Sequence, residues 1–127
     1  MEHTPPATHQ LPTSLEVDEN DYPDDAILEQ IATANSIGVG GRWLVNVFPE
    51  LAASIGGYGK CSVEDGVDVI GKPIKRITFH TQGWSGCEDF IEAVLRNTML
   101  RVMFYESWRR GGQFTFCVPQ ADLDAHP

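Results

Sequence analysis

The stretch from Lys75 to Val118 decides the fold of this chain, and it reads KRITFHT (75–81), QGWSGCED (82–89), FIEAVLRNTML (90–100), RVMFYESW (101–108), RRGG (109–112) and QFTFCV (113–118). The six segments predict, in order, a strand, a glycine-rich loop, a helix, a strand, a tight turn and a strand. In the first segment, Ile77 and Phe79 alternate with polar residues, which is typical of a half-buried strand.

The helix of this unit has a start signal, an apolar face and a stop signal. Ser85-Gly86-Cys87-Glu88 matches the S-x-x-E capping box, in which the Ser85 hydroxyl accepts from the Glu88 amide and the Glu88 side chain bonds the Ser85 amide. Asn97 is a predicted helix stop. The residues predicted to form the core of the domain are Ile77, Phe79, Phe90, Ile91, Val94, Leu95, Val102, Phe104, Phe114 and Phe116.

The last two strands form a hairpin whose register depends on the length of the loop. A two-residue loop, Gly111-Gly112, would mix polar and aromatic side chains on each face. A three-residue loop over residues 110–112 sets Trp108 opposite Phe114, Glu106 opposite Phe116 and Phe104 opposite Val118. We favour the three-residue loop, because glycine suits the left-handed position that such a turn requires.

The order strand, helix, strand predicts that strands 75–81 and 100–108 point the same way, with the helix crossing between them. The hairpin tip and the loop after the first strand then share one end of the sheet. A helix N-terminus beside two arginines suits a carboxylate or phosphate group. The residues of this candidate rim are His80, Trp84, Ser85, Gly86, Glu88, Arg109, Arg110 and Gln113.

Each component of the rim also has a purely structural interpretation. Ser85 and Glu88 cap a helix, and Trp84 covers the end of a core. Arg109 and Arg110 keep a hairpin tip soluble, and a strand histidine such as His80 is more often structural than catalytic. The prediction therefore rests on their convergence at one end of the sheet.

Length and charge set the domain organisation. The chain of 127 residues has a formal net charge of −9 and fits one domain. Residues 1–41 hold eight acidic residues and no lysine or arginine, so the acidity belongs to the N-terminal third. We expect an acidic, disordered segment over 1–23, a globular domain over 24–118 and a frayed tail over 119–127. Direct nucleic-acid binding is not expected of so acidic a chain, and no stretch is apolar enough to span a membrane.

The first half of the domain is less clearly patterned. A short helix is predicted over residues 26–32, and a second helix is predicted to start near Pro49. Residues 42–48 are compatible with a strand or a helix. Two short strands, 60–64 and 67–70, flank a predicted turn at Asp65-Gly66, and a second turn is predicted at 71–73. The fold class is therefore α+β: a single domain with a mainly antiparallel ββαββ sheet, a crossover helix and one or two N-terminal helices.

Cysteine and histidine give weak signals for chemistry. Three cysteines without metal-ligand spacing predict reduced thiols in a cytosol. Cys87 lies in the first turn of the helix, where a thiol pKa is lowered, and His80 is a candidate base, but no third orienting residue is evident. The four histidines are scattered, so we expect no metal, and the sequence predicts no cofactor.

Residues 83–91 (GWSGCEDFI) and 107–116 (SWRRGGQFTF) resemble a group of small uncharacterised proteins from bacteriophages and actinobacteria. That group shares G-W-S-G-N-E, then a helix, then S-R-R-G-G-H-Y-x-F. The match covers about residues 65–118, and it departs from the pattern at Cys87 in place of Asn and at Gln113 in place of His. The resemblance implies a phage-type accessory protein in the cytosol of a bacterial host, and it supplies no activity and no residue roles.

Three functions compete on the sequence. The leading one is a non-enzymatic module that binds a host protein or a small anionic ligand through the rim. The second is a small hydrolase or nuclease that uses His80, Glu88 and the arginines, which requires that His80 and Glu88 share a cleft. The third is an acidic mimic or inhibitor, in which residues 16–29 engage a basic, nucleic-acid-binding host protein. The oligomeric state is left open.

Overall fold

The structure is a computed structural model that describes residues 10–55, 57 and 59–126. Within these residues it has helices α1 (Asp25–Thr33), α2 (Gly40–Asn46), α3 (Phe48–Ala53), α4 (Ser85–Arg96), α5 (Thr98–Phe104) and α6 (Gln120–Ala125), and strands β1 (Lys60–Val67), β2 (Pro73–His80), β3 (Tyr105–Arg109) and β4 (Gln113–Pro119). None of these helices has the length and apolarity that crossing a membrane requires.

The four strands form one antiparallel sheet in the order β1-β2-β4-β3. Strands β2 and β3 each pair antiparallel with β4, so the two point the same way with β4 between them. The predicted α+β class, the single small domain and the shared direction of β2 and β3 are confirmed.

The core lies between one face of this sheet and the helices. The fully buried Phe48 ring of α3 stacks on Phe90 of α4, with ring centroids 5.2 Å apart. It also meets two rings of the sheet edge-on, Phe79 at 5.6 Å and Phe116 at 5.7 Å. Edge-to-face and offset packing of this kind adds to the hydrophobic gain from burial. One residue of a short helix thus joins α3, α4, β2 and β4.

The predicted strand over 100–108 is wrong in its first half, because residues 98–104 form helix α5. Asn97 explains the difference: its buried side-chain amide donates to the carbonyls of Ile31 (2.8 Å) and Ala34 (3.0 Å), and its oxygen accepts from the amide of Leu100. The residue that ends α4 therefore also caps α5. Val102, predicted in the core, is 68% exposed as a result, whereas Phe104 is buried.

In the first half of the domain, one predicted turn is wrong and one segment that the sequence leaves open is now assigned. The predicted turn at Asp65-Gly66 is wrong, since residues 60–67 are one continuous strand. The turn lies at residues 68–72, where the Asp68 carboxylate accepts from the amides of Ile70 and Lys72 at 2.9 Å. Residues 42–48, compatible with strand or helix, belong to α2 up to Asn46, and α3 follows with Pro49 in its first turn.

The β3–β4 hairpin has the predicted three-residue loop, residues 110–112, and Trp108 pairs with Phe114 as expected. Farther from the tip the predicted register fails. A bulge between Tyr105 and Ser107 places Tyr105 opposite Phe116, where Glu106 was expected. Phe104 belongs to α5, so it does not form the predicted cross-strand pair with Val118.

The terminal segments also differ from expectation where they are described. Residues 10–23, predicted to be disordered, contact the domain: Leu11 is buried, and the Trp43 indole donates to the Pro12 carbonyl at 2.8 Å. Residues 1–9 of that segment lie outside the described residues. At the other end, residues 120–125, predicted to fray, form α6.

We expect Phe116→Ala to lower the free energy of unfolding by about 3–5 kcal/mol, because it opens a cavity beside Phe48. The matched control is Val102→Ala, which removes apolar atoms from an exposed helix position and is expected to change stability by less than about 0.5 kcal/mol. Urea unfolding of both variants makes the comparison. Equal losses would show that the sheet does not pack as described.

Candidate functional site

The loop after β2 and the hairpin tip lie at the same end of the sheet, as predicted. The Thr81 amide donates to the Gly112 carbonyl at 3.0 Å, so the loop after β2 and the hairpin tip meet at one end of the sheet. The rim residues nevertheless divide between the two sides of the sheet. Trp84, Ser85, Gly86 and Glu88 lie on the helix side, with α4, and His80, Gln113 and Arg109 lie on the other side.

On the helix side, the start of α4 is occupied by contacts within the chain. The Ser85 hydroxyl is hydrogen bonded to the Tyr22 hydroxyl, and the Tyr22 and Trp84 rings lie 4.9 Å apart. The Trp84 ring also packs on Gly86, where any larger side chain would overlap it. The close approach of the Trp84 ring explains why residue 86 is glycine, and it leaves little room for a ligand at the N-terminus of α4.

The predicted capping box does not form. The N-terminal cap of α4 is Trp84, which makes no side-chain cap hydrogen bond. The Glu88 carboxylate instead accepts from the Thr81 hydroxyl at 3.2 Å, which ties the first turn of α4 to the end of β2. Sequence spacing alone does not reveal this bond, because Thr81 precedes the predicted motif.

The electrostatics of the helix side oppose an anion. Helices α1 and α4 together carry five acidic residues and one basic residue, Arg96. Burial raises the pKa of Asp89 above its ordinary value, and the nearby carboxylates of Glu92, Asp25 and Glu88 raise it further. A carboxylate or phosphate would meet the same repulsion at this position. The predicted anion site at the helix N-terminus therefore has no electrostatic support.

The other face of the sheet has a different character. Phe79, Phe114 and Phe116 point into or against the core, so the residues between them in each strand lie on the opposite, open face. At the rim end, the strand register places four side chains in a line across all four strands. We call them the cationic row: Lys60 of β1, His80 of β2, Gln113 of β4 and Arg109 of β3.

The cationic row is accessible to solvent. Lys60 and Arg109 are exposed, and His80 and Gln113 are half-buried between them. Among the described residues, none of the four side chains has a hydrogen-bond or ion-pair partner. With a strand spacing of about 4.8 Å, the row extends over about 14 Å. Arg110 is also exposed, at the adjacent hairpin tip.

The next line of the open face consists of hydroxyl side chains. The register aligns Ser62, Thr78, Thr115 and Ser107, which we call the hydroxyl row; Thr115 is buried, and the other three are at least partly exposed. Beyond it, the Arg76 guanidinium pairs with the Glu106 carboxylate at 3.7 Å, so the arginine there is neutralised. Free positive charge on the open face is therefore concentrated at the rim end.

Sequence reasoning missed Lys60. Its position opposite His80 follows only if β1 is continuous to Val67 and turns at residues 68–72. The available signal was Asp68 followed by Gly71, since an aspartate that accepts from downstream amides is typical of a turn. The competing Asp65-Gly66 pair obscured it.

The structure separates the residues that a hydrolytic site would need. His80 lies on the open face, whereas Glu88 lies on the helix side and bonds Thr81. Cys87 is fully buried and contacts neither solvent nor the open face. In the part of the chain that the structure describes, no cluster of three or more His, Cys, Asp or Glu side chains is arranged to hold a metal ion.

No protein-family model matches the chain, and neither curated proteins nor solved structures include a significant match. The resemblance over residues 65–118 therefore stays a prediction.

From the structure we expect all three cysteines to react slowly in the folded protein, and the lowered pKa suggested for Cys87 by its place in the first turn of a helix is wrong. Burial raises the pKa of Cys61 to about 12 and is also the main reason that the pKa of Cys117 rises to about 11; burial raises the pKa of Cys87 as well. A raised pKa means that less thiolate is present at a given pH. At about pH 8.5 the thiolate fraction of Cys117 is roughly a hundredfold below that of a free cysteine.

Alkylation by iodoacetamide, followed by mass spectrometry of each cysteine peptide, tests this expectation. All three cysteines should react slowly in the native protein and rapidly after denaturation in urea, which is the control. Rapid native alkylation of Cys87 would contradict the described burial and restore Cys87 as a candidate nucleophile.

Proposed function

We propose that this protein is a non-enzymatic binding module that takes an anionic group of its partner on the cationic row. The observation that supports the proposal is the alignment of Lys60, His80, Gln113 and Arg109 across four strands. Lysine offers a mobile positive charge, and arginine offers paired donors that match a carboxylate or phosphate. The Gln113 amide between them supplies a further donor.

The distribution of charge supports this site. The protein as a whole is acidic, with a net charge of −9, and would repel an anion that approached at random. The open face carries three cationic side chains and two anionic ones, and both cations of the cationic row lack a described ion-pair partner. An anion is therefore attracted to one face and repelled by the helix side.

The hydroxyl row favours an extended anion over a single small ion. Ser62, Thr78 and Ser107 lie one row inward from the cations and donate hydrogen bonds without adding charge. A partner with two or more anionic groups, or with an anion followed by polar groups, would contact both rows. The shared chemistry is a carboxylate or phosphate group, presented by a host protein or by a small ligand.

The cellular setting implied by the resemblance belongs to the same proposal: a phage-type accessory protein in the cytosol of a bacterial host. The three cysteines are present as free thiols, the state that a reducing cytosol maintains. The competing hydrolase or nuclease has less support, because His80 and Glu88 do not share a cleft.

The proposal predicts measurable binding of model anions by isothermal titration calorimetry, with tripolyphosphate and an oligoglutamate peptide as probes. The double variant Lys60→Ala/Arg109→Ala is expected to weaken the better probe at least about tenfold, because it removes both free cations of the row. Arg109→Lys keeps the charge but loses the paired donors, so it should bind more weakly than the wild type and more tightly than the double variant. Preference between the two probes identifies phosphate or carboxylate as the partner group.

The matched control is Lys72→Ala. It removes one exposed cation from the turn at the opposite end of the sheet and should leave affinity within about twofold. Equal binding by the wild type and the double variant would overturn the proposal. So would an equal loss on Lys72→Ala, because the protein would then respond only to its overall charge.

A further inference from the structure

A second surface, on the helix side, has the opposite chemistry. An open groove of about 570 Å³ lies between α4 and the hairpin. Its apolar part consists of Ile91 and Leu95 from α4 and Phe114 and Trp108 from the hairpin. The acidic side chains Glu88, Asp89 and Glu92 line the same groove. Arg96 completes the lining, and we call these eight residues the Trp108 groove.

Trp108 is the unusual member of this groove. It pairs across the hairpin with Phe114 and lies on the core side of the sheet, yet its side chain is 57% exposed. Strand β3 is the last strand of the sheet, so no further strand covers it. A large exposed aromatic ring beside a concave apolar surface is typical of the anchor points of protein interfaces.

The charge around the groove selects the partner. Glu88, Asp89 and Glu92 lie within two turns of α4, and Asp25 of α1 is close enough to Asp89 to add to its repulsion. The groove also includes Arg96, but the Arg96 guanidinium faces the Glu29 carboxylate at 3.5 Å. The charge that lines the groove is therefore predominantly negative.

We infer that the Trp108 groove binds a basic amphipathic segment of a protein partner. An apolar side chain of that segment packs on Trp108 and Phe114, and adjacent lysine or arginine side chains meet Glu88, Asp89 and Glu92. The sheet separates this surface from the cationic row, so the two surfaces bind independently and the inference goes beyond the proposed function.

Charge complementarity favours this occupant over two others. A second copy of this chain has a net charge of −9, and its cationic row includes no apolar side chain that could pack on Trp108. An anionic lipid surface would be repelled by the same carboxylates. A basic segment gains both from the apolar surface and from the unneutralised acids.

The experiment uses short fluorescent peptides and the full-length protein, with binding followed by fluorescence anisotropy. The probe alternates leucine and arginine. One comparison peptide alternates serine and arginine, which keeps the charge and removes the apolar contacts. The other alternates leucine and glutamate. The comparison uses the Lys60→Ala/Arg109→Ala variant, so that the cationic row does not hold the leucine–glutamate peptide. The leucine–arginine peptide is expected to bind at least about tenfold more tightly than either comparison peptide, because the groove requires both properties.

Two variants of the protein locate the binding site. Trp108→Ala and Glu92→Lys should each weaken the leucine–arginine peptide at least about tenfold. Glu64→Lys is the matched control, since it makes the same charge change at an exposed position of the open face and should leave affinity within about twofold. Glu92 is exposed, so its variant should keep the native thermal melt even if Trp108→Ala does not.

Four results would overturn the inference. The leucine–arginine peptide does not bind, the serine–arginine peptide binds equally well, or Glu64→Lys weakens binding as much as Glu92→Lys. The fourth is self-association of the protein, measured by light scattering, that Trp108→Ala abolishes, since the occupant would then be a second copy. The Lys60→Ala/Arg109→Ala variant should bind the peptide like the wild type, which keeps this test separate from that of the cationic row.

Discussion

The packing of Phe48 against the sheet is the interaction on which the rest of the structure depends. The Phe48 ring contacts Phe79 and Phe116 of adjacent strands and stacks on Phe90 of α4. Because side chains alternate along a strand, burying Phe79 and Phe116 places His80 and its cross-strand partner Gln113 on the open face. A slip of one residue would exchange the two faces. The composition of the cationic row is thus a consequence of how the core is packed.

The sheet also separates the charges of an acidic protein. The acidic residues of α1 and α4 lie on the helix side, whereas the cationic row lies on the open face. A chain with a net charge of −9 therefore presents one face that can attract anions. The same separation is the basis of both proposals, an anionic group on the open face and a basic segment beside Trp108. Net charge alone describes neither surface.

The sequence predicted the elements whose signals are local. The alternation in β2, the apolar face of α4 and the glycines of the hairpin tip all sit within their own segments, and the structure confirms each. It did not predict α5, because the Asn97 amide is held by carbonyls of Ile31 and Ala34, more than sixty residues earlier. Three of the four residues of the cationic row, His80, Gln113 and Arg109, were predicted as part of the candidate site. Lys60 was missed because the first strand was predicted to turn at Asp65-Gly66, whereas β1 continues to Val67 and pairs with β2 along its whole length.

The measurement that tests the central claim most directly is a map of amide chemical shifts during titration of the ¹⁵N-labelled protein with tripolyphosphate. The open-face account predicts that the largest changes lie at Lys60, His80, Arg109 and Gln113, with only small changes in α4. Largest changes at residues 84–87, at the start of α4, would place the anion at the helix N-terminus and contradict the account.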